Sequence, residues 1–239
     1  MAEFLTFFGG DHHAGTTLLA YRTAALLHEQ GKRVLLLYAS QEGFEGWLGS
    51  GSSGFDRLLH AFPPGTAELE AAITKGEPDA IYPTPDLLAK PYFRPELIKS
   101  IKAYGAKKYD VIVADGGCDA SLPLPAACLA WADRRCYVCT GNAKALVRFG
   151  ESYRTVIKGL GLDTSGDVLL LNKAGESPLL ADAAALREAF VLRTLTMPCS
   201  SDAAVWELKP QLAFSKEPQA GALRALLQAL QTKAGDRHE

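Results

Sequence analysis

The 239-residue sequence lacks an excess of charge of either sign, because 25 Lys and Arg stand against 27 Asp and Glu for a net charge of −2. Non-specific binding to nucleic acid depends on a basic face, so we expect no nucleic-acid partner. The sequence also lacks an apolar run of the roughly 18–20 residues that a membrane-spanning helix needs. No basic segment precedes the first apolar stretch, MAEFLTFFGG, so we expect no signal peptide.

The sequence contains five cysteines, which is a small and odd number. The five residues are Cys118, Cys128, Cys136, Cys139 and Cys199. A chain of this length can bury a full hydrophobic core, so it does not need a disulfide framework. Thiols kept reduced explain this composition best, and we therefore expect a cytoplasmic protein.

Short apolar runs without polar alternation recur along the chain, as is typical of strands buried on both faces of a parallel sheet. Segments with helical spacing lie between them. The sequence therefore predicts an α/β fold with a doubly wound, mostly parallel sheet of about seven strands flanked by helices. We expect one domain over residues 1–233 and a flexible tail at 234–239. The predicted strands are Phe4–Phe8, Arg33–Tyr38, Ala80–Pro83, Tyr109–Ala114, Arg135–Thr140, Asp167–Leu171 and Val191–Met197.

The first strand runs into a glycine-rich loop, GDHHAGTT, at residues 10–17. Its spacing fits the phosphate-binding loop G-x4-G-K-[ST], with Thr16 at the lysine position. In such a loop, backbone N–H groups and a helix N-terminus surround the phosphates, and the final hydroxyl binds Mg²⁺. A turn of this kind can also serve only to pack a helix on a strand. The candidate nucleotide-binding residues here are Gly10, Asp11, His12, His13, Ala14, Gly15, Thr16 and Thr17.

Over about residues 1–232, the order of these segments resembles the MinD/ParA-type deviant Walker P-loop ATPases. Their loop reads K-G-G-x-G-K-[ST], and Asp11 falls on the first, signature lysine. The segment YDVIVAD resembles the family strand that ends in the Walker B aspartate, which would be Asp115. In VLLLYAS, Tyr38 and Ser40 fall on two switch I aspartates of the family. Asn172, at the end of LLLN, falls on a position that contacts the base.

The resemblance implies that Thr17 and Asp115 would hold Mg²⁺ if a nucleotide binds. A lysine–phosphate contact contributes about 1.5–3 kcal/mol, so two lost lysines and an added Asp11 would weaken ATP binding on the order of 10²–10⁴-fold. Tyr38 and Ser40 cannot act as carboxylates that position water and metal. We therefore interpret the chain as a pseudo-ATPase with no catalytic residue expected beyond the retained carboxylate of Asp115. No cofactor is firmly indicated, and binding of Mg-ATP or ADP stays open.

These departures favour a non-hydrolysing scaffold or a localisation and regulatory factor that binds other proteins. The sequence Gly15-Thr16-Thr17 resembles the pilus-assembly and localisation branch of the family (TadZ/CpaE-like). That resemblance implies a homodimer and an assembly or localisation partner in a pilus or secretion system. One alternative is a functional ATPase switch that binds ATP and dimerises. A second alternative is a metal or Fe–S maturation factor.

Three further patterns could carry metal or redox chemistry. His12 and His13 lie beside Asp11, but neighbouring loop residues seldom bind one ion together. Cys136 and Cys139 have C-x-x-C spacing, but residues i and i+3 of a strand point to opposite faces, which favours a structural role. Cys118 falls near the cluster-ligating cysteine of the nitrogenase iron-protein relatives. A bridging cluster needs more thiolates than the preceding chain supplies.

Two apolar patterns could mark a surface for binding. The terminal helix, expected over Gln219–Lys233, has one leucine face, but its opposite face has too few cations for a membrane-binding helix. Core packing is the favoured role for that face, which consists of Leu223, Leu226, Leu227 and Leu230. A Gly/Ser-rich segment carries large apolar side chains that could form either an interface or a local core. These are Phe44, Trp47, Leu48 and Phe55.

Overall fold

The computed structural model has a sheet of seven strands in the order β3-β2-β4-β1-β5-β6-β7. Every ladder between neighbouring strands is parallel, so the predicted α/β sheet is confirmed. The strands are β1 Glu3–Gly9, β2 Val34–Tyr38, β3 Asp79–Ile81, β4 Val111–Asp115, β5 Arg134–Thr140, β6 Val168–Ala174 and β7 Arg193–Pro198. The structure describes residues 2–40, 54–59, 61–83, 92–175, 183–202, 205–206 and 209–231.

Helices connect the strands and cover both faces of the sheet, as a parallel sheet requires. They are α1 Thr16–Glu29, α2 Gly54–Leu59, α3 Thr66–Ala72, α4 Glu96–Lys108, α5 Pro123–Trp131, α6 Ala143–Ser152, α7 Ala183–Phe190 and α8 Gln219–Gln231. A π-helical turn, Tyr153–Lys158, extends α6. None of the helices in the described ranges is long and apolar enough to cross a bilayer.

The core lies in layers on the two faces of the sheet. Helices α1 and α8 pack on one face through residues such as Leu19 and Leu226. The opposite face is covered by α4 and α5 at one end and by α6 and α7 at the other. Leu223, Leu226, Leu227 and Leu230 are all buried in the first layer, which confirms the core role of the terminal helix.

The aromatic segment is only partly described. Phe55 is buried with 0% of its surface exposed, and its ring packs edge-on against Phe93 with 5.9 Å between centroids. Phe55 therefore belongs to the core, and its possible interface role is wrong. Phe44, Trp47 and Leu48 lie outside the described residues. The expected tail at 234–239 also lies outside them.

A buried ion pair joins the start of β5 to the residue before β6. Arg135 Nη1 lies 3.2 Å from Asp167 Oδ1, and the two side chains are 5% and 1% exposed. The hydroxyl of Tyr137 donates to Asp167 Oδ2 at 2.8 Å. Arg135 also donates to the carbonyl oxygens of Leu129 at 2.7 Å and Ala132 at 3.2 Å. The guanidinium is thus surrounded by acceptors inside the fold.

The short strand β3 forms one edge of the sheet. The N–H of Ala80 donates to the carbonyl of Thr74 at 2.9 Å, and the N–H of Thr74 donates to the carbonyl of Ala80 at 2.8 Å. This isolated antiparallel bridge lies on the side of β3 that faces away from β2.

Candidate nucleotide-binding site

The phosphate-binding loop, residues 10–17, lies at the carboxyl end of the central strand β1. Strand β1 pairs with β4 on one side and with β5 on the other. The connections that follow β1 and β4 therefore lead to opposite halves of the sheet. Gly9 N–H donates to the carbonyl of Gly117 at 2.6 Å, and Gly10 N–H donates to that of Val138 at 2.8 Å. The loop is thereby held between both neighbouring strands, at the place where open α/β sheets bind ligands.

Gly15 ends the loop and precedes helix α1. Its φ of 88° lies in the left-handed region that glycine adopts without strain. A Cβ atom at Gly15 would lie 2.5 Å from Asn172 Nδ2, so a larger residue would also collide with that side chain. Thr16 is buried, and its Oγ1 would lie 2.6 Å from a Cβ atom at Gly9. The glycine turn expected of a phosphate-binding loop is thus formed, with the Thr16 hydroxyl close to Gly9 at the end of β1.

The structure brings together the two predicted magnesium-binding residues. The Thr17 hydroxyl donates to Asp115 Oδ2 at 2.7 Å, across 98 positions of sequence. Asp115 is completely buried and also accepts a hydrogen bond from Gly117 N–H at 3.1 Å. Hydroxyl and carboxylate oxygens suit a small hard cation. Thr17 and Asp115 therefore supply the kinds of oxygen donor that a Mg²⁺ ion would need here.

The two switch I positions carry no carboxylate. The Ser40 hydroxyl donates to Asp115 Oδ2 at 2.7 Å and therefore shares that oxygen with Thr17. The ring of Tyr38 stacks on Tyr82 with 5.5 Å between centroids. Burial raises the pKa of Tyr38 well above its usual value, and Tyr82 and Asp115 raise it further. Tyr38 is thus a neutral, packed side chain that cannot serve as a base.

Asn172, predicted to contact a base, lies directly against the loop. Its Nδ2 donates to the carbonyl of Ala14 at 2.7 Å, and its Oδ1 accepts from Lys173 N–H at 2.9 Å. The side chain is buried and connects the end of β6 to the phosphate-binding loop. This contact gives Asn172 a structural role in holding the loop, and the base contact stays a prediction.

Asp11, at the signature-lysine position, faces a cation that the sequence analysis missed. Arg148 Nη1 of helix α6 lies 2.5 Å from Asp11 Oδ1. Partial burial raises the pKa of Asp11, but the His12 amide, Arg148 and Lys144 outweigh this and lower the pKa overall. The two partners are 137 positions apart, so only the packing of α6 beside the loop could reveal the pair.

The histidines of the loop are both exposed. His12 Nδ1 lies 3.5 Å from the Cys118 sulfur, and His13 has a left-handed φ of 60°. Within the described part of the chain, no group of three His, Cys, Asp or Glu side chains is placed to hold a metal ion. Cys136 and Cys139 are buried in the layers on opposite faces of the sheet, as their spacing predicts.

The burial of the cysteines predicts their reactivity. We expect iodoacetamide to modify Cys118 and Cys199 in the native protein, because both are partly exposed. Burial raises the pKa of the thiols at Cys128, Cys136 and Cys139, so these should react only after unfolding. Peptide mass spectrometry of native and denatured samples measures this, with C118S to identify the first site. Modification of Cys136 or Cys139 in the native protein would contradict the packing described above.

The fold of this chain is similar to that of P-loop α/β proteins of the MinD/ParA type. The structure of a ParA family ATPase from Chlorobium tepidum TLS matches with a TM-score of 0.77 and 17% identity, covering 95% of this chain and 98% of that chain. The septum site-determining protein MinD complexed with Mg-ADP, from Pyrococcus horikoshii OT3, matches with a TM-score of 0.75 and 19% identity, covering 96% and 95%.

A third similar structure is the MinC:MinD cell division protein complex of Aquifex aeolicus. It matches with a TM-score of 0.70 and 14% identity and covers 96% of this chain and 95% of that chain. No family profile and no curated protein sequence matches the chain. At these identities the similarity establishes the MinD/ParA-like fold and leaves activity to be argued from the site.

Proposed function

We propose that this protein is a degenerate MinD/ParA-like P-loop protein that acts as a non-hydrolysing scaffold or localisation factor. The environment of Asp115 carries the proposal. Phosphoryl transfer to water needs a group that orients the water and cations that stabilise the developing charge. Beside Asp115 lie the hydroxyls of Thr17 and Ser40 and the packed ring of Tyr38. The loop adds Thr16 in place of the phosphate-binding lysine.

The retained loop geometry supports a second part of the proposal, namely that Mg-ADP or Mg-ATP binds weakly and is not turned over. The left-handed Gly15 and the Thr17–Asp115 contact keep the shape that such a ligand needs. The MinD neighbour was determined with Mg-ADP, which supports a nucleotide as the ligand class.

Protein partners are the third part of the proposal. A MinD neighbour forms a complex with MinC, so the fold can present a surface to another protein. We propose a cytoplasmic homodimer that binds an assembly or localisation partner, in the manner of the pilus-associated branch that the loop resembles. The rival candidate is an ATP-binding, dimerising switch, and the preserved Thr17–Asp115 contact is the observation that favours it.

An assay of phosphate release distinguishes the non-hydrolysing scaffold from the ATP-binding switch. Purified protein and its D115N variant are incubated with Mg-ATP, and released phosphate is measured over hours. We expect equal release from both, at the level of buffer alone, because the described residues place only hydroxyls and the Tyr38 ring where carboxylates would orient water. D115N serves as the matched control, since contaminating ATPase would appear equally in both samples. Release by the wild type that D115N abolishes would refute the scaffold proposal and establish the ATPase switch.

A further inference from the structure

Helix α6 carries two cations that act on the phosphate-binding loop. Residues 10–17 contain no Lys or Arg. Lys144 and Arg148 are four residues apart on α6, so they lie on one side of that helix. Arg148 forms the 2.5 Å contact with Asp11, and Lys144 is close enough to act on the same carboxylate. The positive charge at this site therefore comes from a neighbouring element.

Helix α6 is packed closely against the start of the loop. A Cβ atom at Gly10 would lie 2.7 Å from Cys139 Sγ and 3.0 Å from Phe149 Cβ, so the glycine allows the helix to approach. Phe149, next to Arg148, is completely buried among the rings of Tyr137, Tyr153 and Phe190. The backbone that carries Arg148 is thus anchored by the core. Its side chain remains about half exposed, with 48% of its surface accessible.

We propose that Arg148, supported by Lys144, binds the phosphate groups of a nucleotide in this site, and that Asp11 pairs with Arg148 until those phosphates displace it. A guanidinium binds carboxylate and phosphate through the same planar pair of donors. Asp11 is therefore an internal competitor for the ligand. This inference rests on the proposed function, in which the loop is retained as a binding site without turnover.

Substitutions of Asp11 and of Arg148 should change the affinity for Mg-ADP in opposite directions. With Mg-ADP as the probe in isothermal titration, we expect D11N to tighten binding about five- to tenfold, because Arg148 is released without a change of shape. R148A should weaken binding about tenfold or more. R148K should retain part of the affinity, since lysine keeps the positive charge but lacks the planar pair of donors of the guanidinium. In the D11N/R148A double variant, the gain from D11N should shrink to the part that comes from removing the repulsion between Asp11 and the phosphates.

R154A is the matched control, because Arg154 is exposed on the π-helical extension of α6 and its loss changes the net charge equally. We expect R154A to bind as the wild type does. Equal weakening by R148A and R154A would overturn the proposal, since a general charge effect would then suffice. A gain from D11N that is as large without Arg148 as with it would overturn it too, as would the absence of Mg-ADP binding in both wild type and D11N.

These outcomes are distinct from failure of the proposed function. Phosphate release that depends on Asp115 would refute the non-hydrolysing scaffold and leave the Arg148 comparison to be judged by its own affinities. Absence of Mg-ADP binding would refute the role of Arg148 and leave a scaffold without nucleotide. Thermal melting of each variant confirms that it is folded, and only small shifts are expected because Asp11 and Arg148 form a partly exposed pair.

Discussion

Replacement of Asp167 by Ala is expected to lower the free energy of unfolding by about 3–5 kcal/mol, the usual cost of removing one partner from a buried ion pair. The guanidinium of Arg135 would stay buried without its counter-ion, and the Tyr137 hydroxyl would lose its acceptor. The carbonyls of Leu129 and Ala132 would still accept from Arg135, but neutral dipoles do not replace a charge. Burial raises the pKa of Asp167 above its usual value, although Arg135 and Tyr137 lower it in part.

Urea unfolding followed by circular dichroism measures the change. D202A is the matched control, because Asp202 pairs with Lys216 at 3.1 Å on the surface, and such pairs contribute about 0–1 kcal/mol. A second variant, R135M/D167L, should recover most of the loss, since apolar residues can replace a buried ion pair without leaving a charge unpaired. A loss below about 1 kcal/mol for D167A would show that water or another group reaches the buried guanidinium.

Restoring the two missing lysines is expected to raise the affinity for Mg-ATP on the order of 10²–10⁴-fold. T16K returns an ammonium to the loop, and D11K removes a carboxylate while adding a second cation. The double variant D11K/T16K combines both changes in a loop whose Gly15 turn and Thr17–Asp115 contact are already formed. Hydrolysis should not return, because Tyr38 and Ser40 remain in the two switch I positions.

Equilibrium titration with Mg-ATP and a phosphate-release assay measure the two halves of this prediction. T155K is the control, since it adds a lysine at an exposed position on the extension of α6. It should change neither binding nor release. If D11K/T16K bound no better than T155K, the backbone of the loop, and not its charge, would be the reason for weak binding. Rapid phosphate release by the double variant would show that carboxylates at positions 38 and 40 are not needed.

Most of the sheet could be predicted from the sequence because buried parallel strands appear as continuous apolar runs, and YDVIVAD is one such run. Helix α5 is difficult to predict from the sequence for a related reason. Its sequence, PLPAACLAW, contains two prolines and no polar stripe, so it lacks the periodicity that distinguishes a helix from a buried strand. Leu124 and Leu129 of α5 pack into two different core clusters on the same face of the sheet. The helix therefore has apolar residues on more than one side.

In the candidate site too, some contacts could be predicted from the sequence and others could not. The proximity of Thr17 and Asp115 could be predicted, since both follow strands whose carboxyl ends meet at one edge of the sheet. The Asp11–Arg148 and His12–Cys118 contacts could not, because each depends on the side-chain directions of elements more than 100 positions apart. Asn172 was found by resemblance, and its hydrogen bond to the loop appears only in the packed structure.

The antiparallel bridge between Thr74 and Ala80 affects how another chain can bind at the β3 edge of the sheet. In a strand, successive residues direct their N–H and C=O groups to opposite sides, so within β3 only Ala80 faces outward. Thr74 already takes both of its groups. An intruding strand would find no unpaired N–H or C=O group on the outer side of β3, Asp79–Ile81, from which to extend the sheet. Another chain that meets the β3 edge would therefore contact side chains and not free backbone groups of β3.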